Sequence, residues 1–230
     1  MAIGHVDQTQ STNDDLAAAA SAGAPHGTAL VADRQLRGRG RLGRSWDTAE
    51  DGLALSVLLR PTMPLARVPL LCLAAATVVA RVAGDAYRIK WPNDVLAPDG
   101  RKVSGILAEL EAPGGQVASV VVGIGLNLAG SPALSTATSL LAADGRRRDR
   151  WEVAARVVHG LLAACRQIEI DPAPVLDEWR AKAHTLGRAV QVGQVRGIAV
   201  DIDPDGALRV DTGNGHTRVL AGDVRMIERL

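Results

Sequence analysis

Arginine and glycine are concentrated in one short segment of this 230-residue chain. Five arginines lie within eleven residues, with no acidic residue among them: Arg34, Arg37, Arg39, Arg41 and Arg44. Arginine donates paired hydrogen bonds to carboxylates and phosphates and keeps its charge at physiological pH. Glycines at 38, 40 and 43 let the backbone approach a ligand closely. The segment 34–47 therefore predicts a loop that binds a small anion. Since its like charges repel and leucine is its one apolar anchor, we expect it to be poorly ordered when empty.

Two phosphate-binding motifs match this loop loosely. Gly38, Gly40 and Gly43 fit the dinucleotide pattern G-x-G-x-x-G, and Arg44-Ser45 completes an approximate P-loop with arginine in place of lysine. Both motifs need a helix directly afterwards, because the helix N-terminus receives the phosphates. Residues 46–52 instead predict a turn that leads into a strand. We therefore expect neither a P-loop enzyme nor a nicotinamide-dependent oxidoreductase.

Four other segments combine residue types that suit the binding of an anionic ligand. Residues 11–13 (Ser-Thr-Asn) place three small polar groups at a predicted helix start. Residues 90–94 (Lys-Trp-Pro-Asn-Asp) place a cation, a ring and a carboxylate on a rigid turn, and Lys102 begins a predicted strand. In residues 123–127 (Gly-Ile-Gly-Leu-Asn), two glycines remove side chains from a strand, as close approach of a ligand requires.

Each of these segments also has a purely structural explanation. Residues 11–13 could serve only as a helix cap, with Asp14 completing the capping pattern. Lys102 could be a surface ion-pair lysine, and the glycines of 123–125 could mark a β-bulge. We expect Trp91 to brace the core rather than to contact a ligand, although it lies beside the proposed site.

In order and spacing, these segments resemble the biotin protein ligases, which attach biotin to a carrier-protein lysine through biotinyl-5′-AMP. The resemblance runs from Ser11 to the C-terminus, and the arginine-glycine loop and residues 90–94 are its most specific parts. It implies biotin and ATP as substrates, Mg²⁺ on the triphosphate, and a biotin carboxyl carrier protein domain of a carboxylase as partner. A lipoate protein ligase, with related adenylation chemistry and fold, is the nearest alternative.

The resemblance implies a role for each residue that matches the family's motifs. The implied biotin-binding residues are Ser11, Thr12, Asn13, Gln35, Gly38, Arg39, Gly40, Arg41, Lys102 and Gly105. The implied contacts to ATP and the adenylate are Arg39, Arg41, Trp46, Asp94, Lys102 and Asn127. The catalytic residues are expected to be Arg39, Arg41, Lys102 and Asp94. The three cations would neutralise repulsion between two anions, and Asp94 would orient the acceptor lysine. No protein ligand to a metal is predicted.

The chain also departs from the family pattern. Leu42 stands where another arginine is common in the loop. Only ten residues precede Ser11, so we expect no N-terminal helix-turn-helix domain, no operator DNA binding and no repressor role. A homodimer is left open. A nucleic-acid-binding module remains a competing hypothesis, using the loop together with a second basic run at 146–150. Since that run contains Asp149, we expect it to form a solvated face.

The elements that must position these residues form an α+β pattern. Helices are predicted at 11–23, 67–84, 151–168 and 173–183, and strands at 5–9, 28–33, 53–60, 87–90, 102–111 and 117–127. The last two strands flank a Pro-Gly-Gly turn and predict an antiparallel hairpin. We predict a catalytic domain at 1–185 with a mixed, largely antiparallel sheet packed with helices, which the resemblance equates with the class II synthetase-like ligase fold. Short strands at 189–200, 207–211 and 217–220 predict a small β-barrel at 186–230, SH3-like in the resembling family.

Composition limits the remaining possibilities. The net charge is +1, which is unlike a protein that coats a polyanion, so the charge of the loop is aimed at a small ligand. With no Phe, one Tyr and four Trp, the core is expected to be almost entirely aliphatic. The two cysteines lie far apart and predict free thiols. The apolar segment 67–84 is too short to span a bilayer, and the N-terminus lacks a signal peptide, so we predict a cytoplasmic protein without a membrane anchor.

Overall fold

The computed structural model describes residues 2–48 and 51–227. Its larger part is a seven-stranded sheet with helices on both faces, and its smaller part is a five-stranded antiparallel sheet. The strands of the first sheet are β1 (Ile3–Thr9), β2 (Ala29–Gln35), β3 (Leu53–Leu59), β4 (Arg88–Lys90), β5 (Asp94–Leu96), β6 (Lys102–Glu111) and β7 (Ser119–Leu126). The helices are α1 (Thr12–Ser21), α2 (Pro69–Ala83), α3 (Leu140–Asp144), α4 (Arg150–Ile170) and α5 (Ala173–Lys182).

The first sheet is mixed, as predicted, with the strand order β1-β2-β3-β7-β6-β5-β4. Only β1 and β2 among these described strands pair in parallel, and the predicted hairpin is the antiparallel pair β6–β7. Side chains alternate between the two faces of a strand, so each central strand packs against helices on both faces of the sheet. Leu58 of β3 packs beneath α1, whereas its neighbours Val57 and Leu59 join the main core with α2 and α4.

The apolar helix predicted at 67–84 lies in the main core. The expectation that this segment is too short to span a bilayer is wrong, because the helical stretch Leu65–Ala83 is long and apolar enough by length and composition, but 67% of its apolar window is buried inside the fold. Helix α2 packs against α4, α5 and the sheet. This segment is therefore a core helix.

The buried core is almost entirely aliphatic, as predicted, but its few aromatic side chains are large. Trp91, Trp179 and Tyr87 are among the largest fully buried side chains. Trp91 joins the main core cluster, so it braces the fold as expected but does not lie at the cavity described below. Its indole Nε1 donates to the carbonyl oxygen of Gly206 at 3.0 Å, and its backbone NH donates to Thr185 Oγ1 at 2.8 Å. The rigid turn at 90–94 is thereby fastened to the C-terminal part of the chain.

The smaller sheet contains β8 (Ala189–Val192), β9 (Val195–Ile202), β10 (Leu208–Asp211), β11 (His216–Val219) and β12 (Arg225–Met226). Its strand order is β11-β10-β9-β8-β12, and all its pairs are antiparallel. The single strand expected at 189–200 is in fact two strands. They are separated by a turn at Gly193, whose positive φ of 58° suits glycine.

The second basic run is a solvated face only in part: Arg146 and Arg147 are exposed as expected, whereas Arg148 and Arg150 are not. The side chain of Arg148 is 14% exposed and donates to Asp144 at 2.6 Å and to the Ala83 carbonyl oxygen at 2.8 Å. Arg150 lies 2.7 Å from Asp33. The Arg148 guanidinium lowers the pKa of Asp144 to about 2. These arginines therefore join α3 and α4 to the rest of the fold.

Candidate active site

A cavity of about 730 Å³ opens between the first sheet, the arginine-glycine loop and the C-terminal sheet. Of the thirteen site residues expected from sequence, it is lined by twelve: Ser11, Thr12, Asn13, Gln35, Arg39, Gly40, Arg41, Trp46, Asp94, Lys102, Gly105 and Asn127. Gly38 does not line the cavity. A Cβ on Gly38 would overlap the backbone oxygen of Trp46, whose NH donates to the Gly38 carbonyl oxygen at 2.8 Å, so this glycine closes the base of the loop.

The floor of the cavity is a set of glycines on β6 and β7. Gly105 and Gly125 are directly paired across the two strands, and Gly123 pairs with Leu107 in the same continuous register. The β-bulge alternative for 123–125 is therefore wrong. A Cβ on Gly125 would overlap the indole of Trp46, and one on Gly123 would overlap the amide of Asn13. These glycines thus make room for two of the protein's own site residues.

The segment 11–13 does not form the capping pattern expected from sequence. Ser11 is the N-cap residue of α1, but its side chain makes no capping hydrogen bond within the described residues. The backbone NH of Thr12, which has no partner within the helix, donates instead to Gln35 Oε1 on β2, at 2.9 Å. The Thr12 hydroxyl also donates to Gln35 Oε1, at 3.0 Å. The polar groups of α1 and β2 are thereby held together at one wall of the cavity.

Two residues that the sequence analysis missed fix the amide of Asn13. Ser56, fully buried on β3, donates to Asn13 Oδ1 at 2.6 Å. Glu109 on β6 accepts from Asn13 Nδ2 at 2.6 Å. Ser56 is the one polar side chain in the apolar strand Leu53–Leu59, and that position was the available sequence signal. Glu109 carried no such signal, because it lies in the alternating half of β6 where exposed acids are ordinary.

The arginine-glycine loop is tied to other elements by ion pairs. Arg39 donates to Asp14 of α1 at 2.6 Å and to Glu109 at 3.0 Å, and Arg44 donates to Asp223 at 2.8 Å. The hydrogen bonds to Asp14, followed by those to Glu109, raise the pKa of Arg39, and Arg39 in turn lowers the pKa of Asp14. Leucine was expected to be the apolar anchor of the loop. It does not anchor the loop, since the side chain of Leu42 is 74% exposed. Acidic residues far away in sequence supply the anchors instead.

Arg41 is held by the turn at 90–94. Its guanidinium donates to Asn93 Oδ1 at 3.2 Å and to the Gly222 carbonyl oxygen at 3.4 Å. Asn93 is buried, and its own Nδ2 donates to the Ile106 carbonyl oxygen at 2.9 Å. The loop arginine is therefore positioned by a residue that β6 holds rigidly.

Lys102 and Asp94 form a pair in the wall of the cavity. Lys102 Nζ lies 2.6 Å from Asp94 Oδ1 and 5.5 Å from the centre of the Trp46 ring. Both side chains of the pair are half-buried, with exposures of 33% and 22%. Lys102 therefore does form an ion pair, which was the structural explanation considered for it, but the pair lies in the wall of the cavity and not on the outer surface. Trp46 Nε1 is buried and has no hydrogen-bond partner among residues 2–48 and 51–227.

The back wall is built by the segment 127–138. Asn127 is buried and donates from Nδ2 to the Thr138 carbonyl oxygen at 3.1 Å. The backbone of Lys102 bonds to the same segment, accepting from Thr138 N at 2.8 Å and donating to the Thr136 carbonyl oxygen at 2.9 Å. In this structure the Asn127 side chain therefore positions the back wall next to Lys102.

The C-terminal part of the chain adds His184 and Met226 to the cavity lining. Neither residue was predicted from the sequence. Burial, followed by the charges of Arg188 and Lys90, lowers the pKa of His184, which favours the neutral form of its ring. The cavity accordingly joins a positively charged side to apolar and neutral surfaces. It suits a ligand that carries a carboxylate, phosphates and flat rings.

Comparisons with known proteins agree with this geometry. A family model described as "Biotin/lipoate A/B protein ligase family" matches residues 5–127, and one described as "Biotin protein ligase C terminal domain" matches residues 185–226. The biotin–[acetyl-CoA-carboxylase] ligase of Mycobacterium tuberculosis is 40% identical over 236 residues, covering 95% of this chain and 86% of the relative.

Two further relatives extend the comparison. The bifunctional ligase/repressor BirA of Bacillus subtilis is 34% identical over 241 residues, covering 96% of this chain and 72% of the relative. Among solved structures, the biotin protein ligase from Aquifex aeolicus in complex with biotin and ATP has a TM-score of 0.81 and 30% identity, and the match covers 98% of each chain.

Proposed function

Because the chain belongs to the biotin/lipoate A/B protein ligase family, we propose that it joins biotin to a lysine of a biotin carboxyl carrier protein. Biotin is first activated by ATP to biotinyl-5′-AMP with release of pyrophosphate. The biotinyl group is then transferred to the lysine. The observation that carries the proposal is the convergence of three cations, Arg39, Arg41 and Lys102, on one cavity with a glycine floor.

The first step brings two anions together. A carboxylate oxygen of biotin attacks the α-phosphorus of ATP, and the bond from that phosphorus to pyrophosphate breaks. The cations of the loop and Lys102 reduce the repulsion and stabilise the charge that develops on the leaving pyrophosphate. Mg²⁺ enters as part of the ATP substrate and shares this task. Among the described residues, Asp47 and Asp94 are the acids that line the cavity.

The adenylate must then be kept from water until the acceptor arrives. Arg39, in the middle of the loop, is tied to α1, and Arg44, near its end, is tied to the C-terminal segment, so the loop is held across the cavity at two points. A mixed anhydride beneath such a loop is shielded from hydrolysis. We propose that segment 34–47 gains hydrogen-exchange protection when biotin or the adenylate binds, and equal protection in both states would contradict this.

The second step needs a neutral lysine amine near the acyl carbon. A free lysine has a pKa of about 10.4, so it must be positioned and must lose a proton. The Asp94 carboxylate already forms an ion pair with the ammonium group of Lys102, at 2.6 Å. We propose that Asp94 orients the incoming lysine in the same way. The amine then attacks the acyl carbon, the bond from that carbon to AMP breaks, and a proton leaves the nitrogen.

Pyrophosphate release with biotin or lipoate tests this function and its nearest alternative. We expect release that depends on biotin and stays at background with lipoate. Arg39→Gln should lower the rate by about tenfold to a hundredfold, because it removes charge-assisted bonds to the reacting groups. Arg37→Gln is the matched control, since Arg37 is an exposed arginine of the same loop that does not line the cavity.

The outcomes of this assay are distinct. Activity with lipoate and none with biotin would refute the proposal. Equal losses in Arg39→Gln and Arg37→Gln would show that the overall charge of the loop matters and that the position of Arg39 does not.

A further inference from the structure

Glu109 lies outside the cavity lining but touches two residues that line it. Its Oε2 accepts from Asn13 Nδ2 at 2.6 Å, and its Oε1 accepts from Arg39 at 3.0 Å. It is on β6, two residues beyond Leu107, and therefore faces the same side of the sheet as the cavity floor. A single carboxylate thus connects the start of α1 with the arginine-glycine loop.

This carboxylate decides which way the amide of Asn13 faces. An ionised carboxylate only accepts hydrogen bonds, so the Asn13 group beside Glu109 must be the NH₂. The other partner, Ser56, cannot make this choice, because its hydroxyl both donates and accepts. With the NH₂ held by Glu109, the carbonyl Oδ1 of Asn13 is fixed toward Ser56. Without an acceptor-only group, either end of the amide would fit.

The same carboxylate holds Arg39 next to α1. The Arg39 guanidinium is bound by Asp14 on one side and by Glu109 on the other. Asp14 follows Asn13 directly in α1, so the arginine bridges the helix start and β6. The Glu109 carboxylate, which orients Asn13, therefore loses one of its hydrogen-bond partners when a movement of the loop withdraws Arg39.

We propose that Glu109 is a positioning residue that fixes the Asn13 amide and couples it to Arg39 of the loop. The inference rests on the proposed function, since it assigns to this pair the recognition of biotin. Glu109 contacts no substrate in this account. It acts through Asn13 on the affinity for biotin and through Arg39 on the closure of the loop.

Glu109→Gln tests the proposal, because glutamine keeps the size of the side chain but can donate as well as accept. Calorimetric titration with biotin alone should show affinity about fivefold to tenfold weaker than in the wild type, equivalent to one hydrogen bond. Glu111→Gln is the matched control. It changes the same charge two residues along the same face of β6, at a glutamate without an ion pair among the described residues. Its affinity should be unchanged.

A double-mutant cycle with Asn13→Ala separates positioning from a structural role. In that background the amide is gone, so Glu109→Gln should weaken biotin binding no further. A full additional loss would overturn the proposal, as would a Glu109→Gln variant that melts at a lower temperature yet binds biotin like the wild type. Wild-type protein that fails to bind biotin would overturn the proposed function and the inference together. Normal binding by both the wild type and Glu109→Gln would overturn the inference alone.

Discussion

Replacing Gly123 by alanine should damage biotin binding more than it damages the fold. The added Cβ would overlap Asn13 Oδ1, and its next neighbours are the Cγ and Nδ2 of the same side chain. Strand β7 is paired on both sides, with β3 and β6, so its backbone cannot shift easily. The side chain of Asn13 must therefore move away from the cavity floor.

The size of the effect follows from the contacts of Asn13. Its amide has two short hydrogen bonds, 2.6 Å each, one from the neutral Ser56 and one to the charged Glu109. Losing one or both removes about 1–3 kcal/mol of positioning energy. This corresponds to biotin binding about fivefold to 150-fold weaker. Alanine is better than glycine within a strand by about 0.5–1 kcal/mol, which offsets part of the loss of stability.

Calorimetric titration with biotin, together with thermal melting, measures both quantities. Gly4→Ala is the control, because a Cβ at Gly4 would meet its nearest atoms at 3.4 Å, an ordinary contact. We expect Gly4→Ala to bind normally and Gly123→Ala to bind weakly while melting within a few degrees of the wild type. Normal biotin affinity in Gly123→Ala would refute the reasoning, because Asn13 would then have no part in the site.

Three further perturbations have defined outcomes. Asp94→Asn should slow transfer to the carrier lysine at least about tenfold more than it slows adenylate formation in single-turnover assays, and equal effects on the two steps would contradict its assigned role. Because the pKa of Asp144 is lowered to about 2 by Arg148, Asp144 stabilises the fold above its unfolded pKa of 3.8, and that contribution disappears as the pH falls through about 2. Asp144→Asn should therefore lose about 1–2 kcal/mol at neutral pH in urea unfolding and match the wild type near pH 2, whereas a constant difference would be contrary to this. Burial raises the pKa of Cys72 and of Cys165 to about 12, so both thiols should react slowly with Ellman's reagent at pH 8 until the protein is denatured, and rapid reaction of the native protein would disagree.

The elements with strong local patterns were predictable from sequence. The helix at 67–84 and the hairpin of β6 and β7 have long, consistent signals, and the structure contains both. The elements that were missed are short: β5 and β12 have three and two residues, and α3 has five. At such lengths neither helical nor strand periodicity is visible. Strand β12 in particular forms by pairing with β8, more than thirty residues earlier in the chain.

The residues of the candidate site also fall into those that the sequence predicts and those that only the fold reveals. The residue types that face the cavity were recognisable because their spacing is local, as in segments 11–13 and 90–94. Their partners were not, because the fold brings them from far away: Asp14 reaches Arg39 across 25 positions and Asp223 reaches Arg44 across 179. The sequence shows that positions 123 and 125 are glycines and therefore leave space above the strand. Only the structure shows that Asn13 and Trp46 fill that space.

The central claim is most directly tested by mass spectrometry of a biotin carboxyl carrier domain after incubation with this protein, biotin and ATP·Mg²⁺. The account predicts that one biotinyl group is added to one lysine, that addition requires both biotin and ATP, and that Arg39→Gln slows it. A carrier whose mass is unchanged after prolonged incubation with folded enzyme would contradict the account.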